Sequence, residues 1–157
     1  MWESLEQTGW VGIIAHSAIL YSAISVIHYF SLLFSVGTVL LVDLRILGLA
    51  DRRQTLAQLS EQVLPWTWVG FAFATISGFL LFTTGAGEFA PDRVFQIKLV
   101  LIVIAFMLTI IVQRGIRQWN QLPAVPASAK LIAFLSLVLW LGTILAGVDV
   151  AYISGIG

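Results

Sequence analysis

From Ser17 to Leu47 nearly every position is apolar, and the polar exceptions are ordered rather than scattered. At about 100° per helical residue, Ser17, Tyr21, Ser25, His28, Ser31 and Ser35 fall within about 60° of one meridian. The other faces are Ile, Leu, Val and Phe. Such a helix reads as a membrane span that turns its polar stripe toward protein. Similar apolar runs recur along the chain and predict spans over about 17–47, 65–84, 94–115 and 130–152. At 1.5 Å per residue the first would be about 45 Å long, against a hydrocarbon core of about 30 Å. It must therefore tilt or protrude.

The connecting segments have their own patterns. Met1 to Ala15 mixes Trp2, Leu5, Trp10 and Val11 with Glu3, Glu6 and Gln7. That composition suits a short interfacial helix leading into the first span. Gly48 is placed to cap the first span, after Asp43 and Arg45. Thr55 to Val63 predicts a short amphipathic surface segment, with Pro65 in the first turn of the second span. Trp66 and Trp68 suit the interface. Gly70, Ala74, Ser77 and Gly78 form a small-residue face that permits close helix contact. Gly85 to Asp92 predicts a turn, and Pro123 and Pro126 mark the last connection. The fourth span carries Ser136, Gly142, Thr143, Ala146 and Gly147 as its small residues. The expected architecture is one all-α domain over 1–157, an integral membrane four-helix bundle preceded by a short N-terminal interfacial helix.

Composition agrees with this pattern. The chain is 59% hydrophobic and 10% charged, where a soluble domain carries about 25% charged residues. Its formal net charge of +0 gives no case for a nucleic-acid partner. The absence of cysteine excludes disulfides, thiolate metal sites and cysteine nucleophiles. The first ten residues hold acidic and no basic groups, so no cleavable signal peptide is expected. Arg45, Arg52, Arg53, Arg114, Arg117 and Lys130 flank the first and third connections and are six of the eight basic residues. The positive-inside rule then predicts both termini on the periplasmic side.

Candidate chemistry centres on His28. The imidazole reads as a strut bonding to neighbouring hydroxyls, as an axial ligand to haem b, or as a proton or ion relay. In the cofactor reading Tyr21, Ser25 and Ser31 line the contact and His28 is the metal ligand. The chain's other histidine, His16, lies on the same segment. On a continuous helix it would stand about 18 Å away, too far to share an iron. The second ligand would come from a second copy or a partner protein. His16 reads chiefly as an interfacial side chain, and Arg45 as a snorkelling one. Two structural ion pairs are expected: Asp43 with Arg114 or Arg117, and Lys98 with Asp149. No nucleophilic triad, phosphate loop, zinc signature or paired-carboxylate motif is present.

The run Val42-Asp43-Leu44-Arg45-Ile46-Leu47-Gly48-Leu49, with His28 and Gly37 before it, resembles a family of small bacterial four-helix inner-membrane proteins with a domain of unknown function. Leu64-Pro65-Trp66, Gly70-Phe71, Ser77 to Phe82, Phe95 to Leu99 and Ser136 to Trp140 carry the same resemblance from about Ser17 onward. More loosely, the layout is similar to haem-b membrane cytochromes and to copper-resistance D type proteins, although with fewer histidines. The resemblance implies a bacterial inner-membrane location. The resulting expectation is a non-catalytic membrane subunit of a larger, redox-linked assembly, or a homo-oligomer, with a candidate haem b contact at His28. The alternatives are a cofactor-free structural or assembly protein and a small proton or ion transporter.

Overall fold

A computed structural model describes residues 6–50 and 53–153, the side chains of 148–153 excepted. Among the described residues, regular structure is helical throughout. In chain order the helices are α1 (Gly9–His16), α2 (Ala18–Leu47), α3 (Leu56–Thr83), α4 (Ala86–Phe89), α5 (Arg93–Trp119) and α6 (Ala127–Ile153). Four of them, α2, α3, α5 and α6, are long and apolar enough to cross a membrane. Trp2, Glu3, Leu5, Asp51 and Arg52 lie outside the described residues.

Local chemistry explains the helix ends. Ser17 is extended, with φ −105° and ψ 101°, so it separates α1 from α2, and its hydroxyl accepts from the Leu20 amide. The continuous helix through His16 and His28 is thereby interrupted. At the far end Gly48 adopts the left-handed conformation, φ 82°, and its amide returns to the Arg45 and Leu44 carbonyls. The Leu49 amide also closes on Leu44 O, at 2.9 Å. Only glycine takes this conformation without strain, so Gly48 is the stop expected from its position.

The segment Thr55 to Val63 is not a separate surface element. It forms the first turns of α3, opened by a capping box in which Thr55 and Gln58 exchange side-chain and backbone bonds. Leu56 and Ser60 are buried on its inner side, and that burial holds the segment in line with the span. Pro65 consequently sits inside α3 rather than in its first turn. It removes one intrahelical donor, but it lies on the exposed side of the helix. The connection after Thr84 contains the short helix α4 and ends at Asp92, whose carboxylate caps α5 by accepting from the Phe95 amide at 2.7 Å. Near the N-terminus, Glu6 accepts from the Gly87 amide at 2.7 Å and ties that end of the chain to α4.

The longest helix contacts are α2 with α3 and α5 with α6, and α2 also meets α6. Val42, Ile46, Leu56, Val112, Ile116, Ala129 and Ala133 close one end of the core. Val36, Val39, Phe71, Ala105 and Trp140 fill the middle. There Phe71 stacks on Trp140 at 4.9 Å and meets Phe106 edge-on at 5.3 Å. The outward faces are apolar as well: on α5 alone, Ile97, Val100, Val103, Met107 and Ile111 are exposed.

Candidate functional site

Polar residues inside this apolar frame gather at two levels. The first lies where α2 meets the second half of α3. Tyr21, Ser25, His28 and Ser31 are half-buried and Ser35 is fully buried, while Val26, Ile27, Phe30 and Leu33 between them are exposed. The stripe therefore faces protein. His28 Nδ1 stands 2.9 Å from the Ala74 carbonyl and 3.3 Å from the Ser77 hydroxyl. A carbonyl can only accept, so Nδ1 carries the proton and donates. In a neutral imidazole Nε2 is then left as an acceptor.

Gly78 makes this placement possible. A Cβ there would stand 2.8 Å from His28 Cε1. Gly70 does the same for Ser35, whose hydroxyl would clash with any Cβ at that position, with the Ser31 carbonyl 3.3 Å away. Ser35 itself donates to the Ser31 carbonyl at 2.7 Å. The small-residue face of α3 thus serves as the seat of α2. The bonding partner of His28 is a backbone carbonyl together with a serine on α3, not a hydroxyl of its own stripe.

Lys98 of α5 lies within electrostatic reach of His28, and its Nζ is 3.5 Å from where a Gly147 Cβ would stand. It therefore points at the last described part of α6. The Asp149 side chain lies outside the described residues, so of the expected clasp only the Lys98 half is described. His16 is exposed and bonds to the Gly12 carbonyl of its own helix at 2.7 Å.

The second level lies toward the other end of α2. Asp43 is fully buried, and neither carboxylate oxygen has a hydrogen-bond partner. Arg114 and Arg117 are exposed on α5 and do not bond to it. Arg45 points elsewhere, donating to the Gln54 carbonyl at 2.8 Å. The buried Ser136 hydroxyl neighbours the carboxylate but is likewise without a hydrogen-bond partner. Asp43 borders a cavity of about 10 Å³ whose other polar walls are Thr38, Ser60, Thr67, Thr109 and Gln113, among Val39, Val42, Leu64 and Val112. Thr67 Oγ1 donates to Thr38 Oγ1 at 2.8 Å, and Trp140 Nε1 donates to Thr109 Oγ1 at 3.1 Å. Among the described residues no three His, Cys, Asp or Glu side chains come together.

Sequence reasoning did not pick out the threonines. Thr38, Thr67 and Thr109 lie on three separate helices, and only the packing brings them to one level. Nor did it pick out Trp140 as a core residue, although Ala129, Ala133, Ser136, Trp140 and Thr143 recur at helical spacing and are all buried.

Comparison with protein-family models, with curated proteins and with solved structures finds no match. The resemblance to a bacterial inner-membrane family therefore rests on the sequence motifs alone.

Proposed function

We propose that this chain is a non-catalytic, four-helix integral membrane subunit of a larger bacterial inner-membrane assembly, in which His28 is a strut locking α2 to α3. The observation that carries this reading is the pairing of His28 Nδ1–H with the Ala74 carbonyl, with Gly78 leaving room for the ring. An imidazole held between backbone and ring contact fixes helix register, as polar contacts do between membrane helices. The exposed apolar faces of all four long helices support insertion, since water would not tolerate patches of this extent. The arginine-rich first and third connections support a topology with those connections in the cytoplasm and both termini in the periplasm. The partners are lipid together with other membrane subunits or further copies of this chain.

One observation favours a second reading. His28 Nε2 makes no hydrogen bond with the described residues, and a fixed Nδ1–H is how proteins orient an imidazole that binds metal. Haem b held through Nε2, with Tyr21, Ser25 and Ser31 on the same stripe, would supply one-electron chemistry. Its second axial ligand would come from another copy or a partner.

Gentle extraction from native membranes followed by absorption spectroscopy and native mass measurement separates these readings. The strut reading predicts no Soret band, a particle larger than the single chain, and a loss of about 1 kcal/mol of stability in His28→Ala. A Soret band abolished by His28→Ala, and untouched by His16→Ala, would install the haem reading instead. A particle of one chain alone would contradict the subunit assignment.

A further inference from the structure

We infer that the Asp43 cavity is a binding site for one desolvated monovalent cation, with sodium as its expected occupant. The inference is independent of the role given to His28. A wholly buried carboxylate with a serine hydroxyl, that of Ser136, beside it and no hydrogen bond made is costly in a protein interior, and it calls for a counter-charge. Arginine does not supply that charge: Arg45 is turned to the Gln54 carbonyl, and Arg114 and Arg117 are exposed.

Three threonines on the cavity walls have their hydroxyl protons committed elsewhere, which leaves oxygens for a cation. Thr38 donates its hydroxyl proton to the Ser35 carbonyl at 2.7 Å. Thr109 donates its own to the Ala105 carbonyl at 2.9 Å. The Thr67 proton is shared between the Val63 carbonyl and Thr38. With these protons committed, the hydroxyls present oxygen lone pairs to the cavity, beside a carboxylate that also only accepts. Gln113 can add a carbonyl oxygen. Thr38, Asp43, Ser60, Thr67, Thr109 and Gln113 thus bring side-chain oxygens to a cavity otherwise walled by Val39, Val42, Leu64 and Val112, and oxygen ligands suit a hard cation.

Size and charge narrow the choice. A cavity of about 10 Å³ holds one particle of about the size of a water molecule. The lining carries a single carboxylate, so a monovalent ion makes the site neutral. A divalent ion would leave an uncompensated positive charge in an apolar interior.

The test is thermal unfolding of the purified full-length chain in detergent micelles, with NaCl, LiCl, KCl or choline chloride at constant ionic strength and pH. Saturable stabilisation by sodium over choline, of a few degrees, is expected. Lithium should act likewise, and potassium less. Asp43→Asn should abolish the sodium dependence while leaving a folded protein, because the amide is neutral. If that variant fails to fold, Thr109→Val provides the second reading, and at least a tenfold weaker apparent sodium affinity is expected. Identical unfolding curves in sodium and choline would overturn the inference and assign the cavity to water. Sodium-independent curves that shift with pH only in the Asp43-containing protein would assign the site to a proton. Full retention of the sodium effect in Asp43→Asn, or unchanged affinity in Thr109→Val, would also overturn it.

Discussion

Glycine does its structural work here by absence of bulk, and position by position it does not do so equally. Gly70 and Gly37 both lie within long helices. Only Gly70 is pressed by a neighbour, the Ser35 hydroxyl, whereas a Cβ at Gly37 would meet nothing within 4 Å. Gly70→Ala should therefore destabilise the protein by about 1–3 kcal/mol through overpacking. Gly37→Ala should be neutral or slightly stabilising, since alanine favours helix. Thermal unfolding of both variants in one detergent checks the contrast, and equal behaviour would deny the α2–α3 seat. The stripe containing His28 and the small face containing Gly70 and Gly78 were both legible in the sequence, because each repeats at helical spacing on its own helix. That the two faces meet was not legible. Helix periodicity says which side is polar or small, but not which helix it touches. Asp43 shows the same limit. Its cost when buried was evident and suggested an arginine, yet Arg114 and Arg117 sit on the exposed side of α5. Of the threonines that line the same cavity, Thr67 and Thr109 come from α3 and α5, which have no sequence link to Asp43.

At the level of elements, sequence and structure differ most at the start of α3. Proline and a polar run argued for a break between a surface segment and a span. Tertiary burial of Leu56 and Ser60 outweighs that local argument, and the capping box at Thr55 starts one continuous helix. Thr55→Ala should consequently cost the whole fold about 1 kcal/mol. The loss would appear in global unfolding in micelles. If the segment before Pro65 were an independent surface helix, the variant would fray locally and leave global unfolding unchanged. At Ser17 sequence and structure agree: the expected interfacial helix gives way there to the first span, and the serine stops one helix and caps the next. The other three long helices were read within a few residues, since apolar runs of this length have few alternatives.

On the scale of the whole molecule, the proposed function requires four apolar helices lying within a membrane, with their polar residues turned to each other. The chain contains no cysteine, so single cysteines can be introduced one at a time without background. Met107 is exposed in the middle of α5, and Gln121 is exposed in the connection after it. Labelling of Met107→Cys and Gln121→Cys in inverted membrane vesicles with a membrane-impermeant maleimide tests the central claim most directly. Gln121→Cys should label readily from the cytoplasmic face, and Met107→Cys should resist until detergent is added. Labelling of Met107→Cys in intact vesicles as fast as Gln121→Cys would contradict the account.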